Sequence, residues 1–171
     1  MITVSLIAAQ TRDGFIARTE TEPSLSWTSR EDKKRFTELT KRAGVVIMGR
    51  KTFATIGKGL PGRILVVCTR QPFLSDTPGV EYTAESPKKL LSSLEMRGFT
   101  EAALCGGAEI YALFLQEGVV DKLYLTIEPV DFGFGIPLLK DPTIIERDFT
   151  LLQETVAGNG TIFRDLVRKN S

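Results

Sequence analysis

The run Val45-Val46-Ile47-Met48, closed by Gly49 and followed at once by Arg50-Lys51-Thr52, constrains the fold more than any other stretch. Four consecutive apolar residues, with no polar alternation, describe a strand covered on both faces, as in a parallel sheet flanked by helices. Gly49 turns the chain. A helix beginning near Thr52 then aims its free N–H groups, two cations and a hydroxyl at one point. Such a point suits an anion, phosphate above all, and the plain alternative is a strand-to-helix joint with solvated cations.

The same arrangement recurs. Ile64-Leu65-Val66-Val67-Cys68 runs into Thr69-Arg70, and Glu101-Ala102-Ala103-Leu104-Cys105 into Gly106-Gly107-Ala108 and a helix over 109–115. Ligands of open α/β sheets bind outside the carboxyl ends of the strands. Cations past two such ends imply two phosphate sub-sites on one cofactor, and the glycines let backbone N–H groups approach a pyrophosphate. Taken singly, Arg70 also reads as a solvated loop cation and Gly106-Gly107 as a tight turn.

The remaining chain fits around this α/β frame. Ile2 to Ala9 is a first strand, too short to span a membrane and without the basic lead-in of a secretory signal. Gln10 to Thr28 is a long, largely polar stretch with Asp13-Gly14, Pro23 and the only tryptophan, Trp27. A loop of that length is either a functional lid or a surface insertion. Ser29 caps a helix to about Arg42, and S-x-x-D places Asp32 where a capping-box acid would stand. Yet Asp32, Phe36, Leu39 and Thr40 follow at i, i+4, i+7 and i+8, the stripe that turns inward. A carboxylate heading that stripe is partly desolvated at the mouth of a cleft, and such acids are candidate functional groups. A short helix spans about Lys51 to Ile56, then a turn at Leu60-Pro61-Gly62. After a loop-rich segment over 71–80, Ser86-Pro87 opens a helix to about Met96. Asp121 to Thr126 is a further strand, and Asn159-Gly160 turns a hairpin between strands near 148–156 and 161–168. No repeat or second domain is evident, so residues 1–171 are expected to form one domain.

Charge and composition exclude several classes. A formal net charge of +1 creates no field that favours nucleic acid or an anionic membrane surface. There is no histidine, which removes imidazole metal sites and every Ser-His or Cys-His nucleophile. Cys68 and Cys105 end apolar runs, as reduced buried thiols of a cytoplasmic protein do.

The eighteen-residue run VIMGRKTFATIGKGLPGR, Val46 to Arg63, closely resembles the central motif of dihydrofolate reductases. Trp27-x4-Asp32-x3-Phe36 is similar to the substrate-binding segment of that family. Gly106-Gly107 with Tyr111, and Lys122-Leu123-Tyr124-Leu125-Thr126, match as well. The resemblance covers residues 1 to about 128. Beyond Pro129, residues 131–138 and 158–161 look more like the riboflavin-biosynthesis reductase, a relative on the same fold. The resemblance implies a single-domain α/β fold with a mixed, mostly parallel central sheet, flanking helices and a C-terminal antiparallel hairpin. It implies NADPH as hydride donor, dihydrofolate as small-molecule substrate, and a monomer or homodimer. The Gln10 to Thr28 stretch corresponds to the loop that closes over the nicotinamide.

By the same resemblance Asp32 orients the pterin and favours protonation of its imine, with Thr126 supporting the carboxylate. Ile7, Ala8, Phe36, Ile56 and Leu60 line the substrate pocket, and Arg63 grips a carboxylate of the glutamate tail. The cofactor falls to Gly49, Arg50, Lys51 and Thr52, to Cys68, Thr69 and Arg70, and to Cys105, Gly106, Gly107 and Ala108. Glu109, Ile110 and Tyr111 continue that side, and Ala9, Ile16 and Leu25 face it from the N-terminal region. Lys33 departs from the pattern, which has an apolar residue there. The second reading is a reductase of a ribosylamino-pyrimidine phosphate.

Overall fold

The computed structural model describes residues 1–170. Its centre is an eight-stranded sheet in the order β5-β4-β3-β6-β1-β7-β10-β9. The strands are β1 (Thr3–Thr11), β3 (Val45–Gly49), β4 (Ile64–Cys68), β5 (Val80–Thr83), β6 (Glu101–Leu104), β7 (Lys122–Glu128), β9 (Phe149–Val156) and β10 (Ile162–Arg168). From β5 across to β7 every pairing is parallel, whereas β10 joins β7, and β9 joins β10, antiparallel. This is the mixed, mostly parallel α/β sheet with a C-terminal hairpin that the sequence predicts.

The unalternated runs take the buried positions. Val45, Val46 and Ile47 are fully buried, as are Leu65, Val67 and Leu104. Helices cover both faces. On one, α3 (Pro87–Met96) and α4 (Ala108–Gln116) bring Leu90, Leu94 and Phe114 against Val4, Ile47 and Leu104. On the other, α1 (Arg30–Ala43) and α2 (Arg50–Ile56) lay Phe36, Leu39, Phe53 and Ile56 against Val46, Met48 and Leu65. Truncating any one of these core residues to alanine typically costs about 2–5 kcal/mol.

Three segments depart from the sequence expectation. The 71–80 loop ends in an edge strand, β5, whose four residues pair only with β4 and carry too little alternation to announce themselves. The Gln10 to Thr28 stretch is not one loop: β1 runs on to Thr11, and β2 (Phe15–Ala17) pairs with β8 (Ile136–Pro137). A six-residue helix, α5 (Thr143–Asp148), has no side-chain cap to signal it. No helix among the described residues is long and apolar enough to cross a membrane.

Candidate active site

The carboxyl ends of β3, β4 and β6 open onto a cleft of about 990 Å³. Its floor shows why glycine stands at two of these ends. The Gly49 N–H donates to the Gly106 carbonyl at 2.8 Å, which brings the loops after β3 and β6 into backbone contact. A Cβ on Gly49 would meet Ile110 at 3.0 Å, and one on Gly107 the Thr52 hydroxyl at 3.1 Å. Any side chain there would crowd Ile110 or Thr52, which would have to give by a few tenths of an ångström. The glycines therefore set how closely a ligand meets the backbone.

Most of the candidate cofactor residues meet along this cleft. Arg50, Lys51 and Thr52 follow β3, and Cys68 ends β4 with Thr69 and Arg70 after it. The two strands are neighbours in register, Gly49 opposite Cys68, so the two cation groups lie side by side. Cys105, Gly106, Gly107 and Ala108 lead into α4, with Glu109, Ile110 and Tyr111 in its first turn. The α4 N-terminus has no side-chain cap, which leaves its first N–H groups to whatever enters the cleft. Tyr111 is buried, and its hydroxyl donates to the Ile7 carbonyl at 2.7 Å. Burial raises the Tyr111 pKa, so it serves as a fixed donor. Both thiols are free, and desolvation raises each, Cys68 to about 11.

The opposite wall carries Ile7, Ala8, Ala9, Ile16, Asp32 and Phe36. Leu25 stays apart from them, 59% exposed in a short 3-10 turn at Ser24–Ser26. Ile56 and Leu60 pack with Phe36 against the α1-side core, outside the cleft lining proper. Arg63 also lies outside that lining. Its guanidinium is held in place: Nη1 donates to Thr40 Oγ1 at 2.8 Å and Nε to the Pro61 carbonyl at 3.0 Å. Three of its five N–H groups remain for a ligand.

Asp32 sits in the first turn of α1, where Ser29 caps the helix and its Oγ accepts from the Asp32 N–H. Desolvation raises the Asp32 pKa, and the charge of Glu128 adds to the rise. The Thr126 and Thr28 hydroxyls and Arg35 pull the other way. Thr28 Oγ1 is nonetheless buried without a hydrogen-bond partner of normal geometry. Thr126 is buried on β7 opposite Ala9 of β1, on the strand face that looks toward α1.

Sequence reasoning passed over two acids here. Glu20 enters the cleft from the β2–α1 segment and pairs with Lys51 at 2.7 Å. Glu128, only 2% exposed at the end of β7, is the other. Its signal was the one acid in β7, standing two residues after Thr126, and its partners are too distant in sequence to be read locally.

A family model described as "Dihydrofolate reductase" matches residues 3–133. The chain belongs to the dihydrofolate reductase family. The type 3 dihydrofolate reductase of Salmonella typhimurium is 36% identical over 124 residues, covering 72% of this chain and 70% of that protein. Among solved structures, a dihydrofolate reductase from Enterococcus faecalis complexed with NADP(H) superposes with a TM-score of 0.79 at 22% identity, covering 98% of this chain and 97% of that one. A pyrimidine reductase-like protein from Corynebacterium diphtheriae gives 0.80 at 18% identity, covering 99% and 93%. At such identities these two likenesses speak for the fold. Membership of the family places the chain among oxidoreductases acting on a small-molecule substrate.

Proposed function

We propose that the chain reduces 7,8-dihydrofolate to tetrahydrofolate with NADPH. The observation that carries this reading is the spacing along α1 between Asp32 and Thr40, the residue that holds Arg63. Asp32 and Thr40 lie eight residues apart on one helix face, a rise of about 12 Å. Thr40 holds the Arg63 guanidinium. One end of the site thus offers a desolvated carboxylate, the other a preset fork, with Phe36 between them on the same stripe. A pterin joined through an aromatic ring to a glutamate has that length and those two polar ends.

The donor set on the other wall fits a dinucleotide phosphate: Arg50, Lys51 and Arg70, the uncapped α4 N-terminus, and glycines where a Cβ would close the approach. These residues would hold NADPH, which when bound supplies the hydride. Asp32 would accept from the pterin amino group and ring nitrogen and favour the protonated imine. Its raised pKa brings it closer to neutrality, where a group can both hold and pass a proton. Thr126 would steady it from β7, while Ile7, Ala8 and Phe36 exclude water from the ring. Ile56 and Leu60 would extend that apolar wall toward Arg63.

Two observations favour a second reading, a reductase of a ribosylamino-pyrimidine phosphate. The family match stops at residue 133, and Lys33 stands half-buried where an apolar wall would suit an aromatic tail. The decisive experiment is loss of NADPH absorbance with dihydrofolate against the same assay with the pyrimidine substrate. Oxidation with dihydrofolate alone supports the proposal, and oxidation with the pyrimidine alone replaces it by the second reading.

A further inference from the structure

A capping box has two halves. The N-cap hydroxyl accepts from the N–H three residues on, and the acid at that third position reaches back to the N-cap N–H. In α1 only the first half is local. The Ser29 N–H donates instead to Glu128 Oε1 at 2.8 Å, from β7, 99 residues away in sequence. The Ser29 hydroxyl donates to the same oxygen at 2.7 Å, and the Thr161 hydroxyl donates to Glu128 Oε2 at 2.7 Å. One backbone N–H and two hydroxyls thus converge on Glu128, and the Thr161 hydroxyl also lies 3.3 Å from that of Ser29, which ties the three residues together. The other first-turn acid of α1 is also occupied, since Glu31 accepts from Asn159 Nδ2 at 3.2 Å. Of the acids that could close the helix cap, only Asp32 is released to the cleft.

We propose that Glu128 is the positioning residue for Asp32: it takes the reciprocal half of the α1 cap, so the Asp32 carboxylate stays turned to the cleft instead of folding back onto Ser29. Thr126 and Glu128 lie two residues apart on β7 and so share one face, which makes that face a platform for the acid. Glu128 has a second effect through space, because its charge favours the protonated form of Asp32. The other groups bearing on Asp32 are Arg35 of α1, which also pairs with Asp165 of β10, the Thr126 and Thr28 hydroxyls, and the buried Tyr111 of α4. The proposal rests on the reading of Asp32 as the reaction's acid, so its test includes a measurement that needs no substrate.

The experiment compares Glu128→Gln and Glu128→Leu, alone and in an Asp32→Asn background. The Asp32 carboxyl is titrated by carbon NMR, its signal assigned by its loss in Asp32→Asn. Glutamine still accepts from Ser29 but carries no charge. The Asp32 midpoint should therefore fall in Glu128→Gln, and the pH profile of kcat/KM should move to lower pH with it. Leucine removes the acceptor as well. Turnover should then drop by on the order of tenfold or more, yet by less than about twofold when Asp32 is already asparagine, because groups acting through one another are not additive. An equal loss from Glu128→Leu in both backgrounds overturns the proposal and leaves Glu128 a latch for α1. If Glu128→Leu does not fold, Glu128→Ala takes its place: the Asp32 midpoint should fall further than in Glu128→Gln, because the freed Ser29 N–H then stabilises the Asp32 carboxylate, and a midpoint equal to that of Glu128→Gln overturns the proposal. If the wild type leaves dihydrofolate unreduced, the functional reading fails while the titration still judges Glu128.

Discussion

The two walls of the cleft are built on different principles. The wall at the ends of β3, β4 and β6 is made of backbone and of exposed cations: glycines that let two loops touch, and Arg50, Lys51 and Arg70 reaching out from strand ends. The wall at α1 and β7 is made of polar side chains, Thr126, Glu128 and Thr161 buried and Asp32 and Ser29 half-buried, drawn from α1, β7 and the turn before β10. The first wall is locally encoded and loosely coupled, so single side-chain changes there should cost little. The second is a hydrogen-bonded network centred on the buried Glu128, where removing one member strands the others. A double loss on the first wall should therefore hurt less than one isosteric change on the second.

Asp32→Asn tests the second wall where the effect is largest. Asparagine keeps the shape and loses the charge, and general acid–base assistance is typically worth about 10²–10⁴-fold, so kcat at neutral pH should fall within that range. Stability should move in the opposite direction. The folded-state pKa of Asp32 is raised, so folding favours its protonated form and the ionised acid destabilises the native state once pH exceeds the unfolded value. Asp32→Asn should thus melt higher than the wild type at neutral pH. The gap should close as pH falls below the unfolded carboxylate value of about 3.9. Wild-type turnover in the variant would reduce Asp32 to part of a helix cap.

Arg63→Ala comes next. A hydrogen bond to a charged group contributes about 1.5–3 kcal/mol, so KM for dihydrofolate should rise roughly ten- to a hundredfold while NADPH affinity holds. A pterin without the glutamate tail should be turned over equally well by both proteins. That control separates loss of the tail grip from loss of the Thr40 contact that anchors α1. Equal losses with both substrates would make Arg63 structural.

On the first wall, Arg50→Ala with Arg70→Ala should abolish a preference for NADPH over NADH while leaving activity with NADH close to wild type. Each cation is exposed, and exposed charge contacts contribute about 0.2–1 kcal/mol, so the pair should be worth no more than about thirtyfold. A wild type equally efficient with both cofactors would remove the 2′-phosphate from this wall.

The contrast between the walls also decided what could be read from the sequence. The runs at 45–49, 64–68 and 101–105 announced their strands, their turns and their sheet class, because strand, glycine and cation follow one another along the chain. Asp32 was visible for the same reason: it heads an apolar stripe on its own helix. Its place in the helix was legible, but its partner was not. The S-x-x-D pattern has Asp32 close the cap by itself, and nothing local says that Glu128 takes that bond from β7. The β2–β8 pairing was equally hidden, since two short segments some 120 residues apart carry no periodicity of their own. Local chemistry was legible, and chemistry assembled by the sheet was not.

The smallest expected effect concerns Glu20, which ties the β2–α1 segment to the cation wall. Its carboxylate meets Lys51 at 2.7 Å, and both side chains are more than half exposed. Such a pair contributes less than about 1 kcal/mol and is screened by salt, so Glu20→Gln should leave the melting temperature nearly unchanged. Binding is the more sensitive readout. A phosphate that uses Lys51 must first displace Glu20, and the glutamine has no charge to be displaced. NADPH should bind the variant up to a few-fold more tightly at low ionic strength, a gain within the same 1 kcal/mol. Added salt should erase the difference, because what it removes is the competition between two anions for one exposed ammonium. If the variant binds NADPH more weakly at every ionic strength, Glu20 is a contact for the cofactor and not its rival, and the β2–α1 segment belongs to the binding wall it touches.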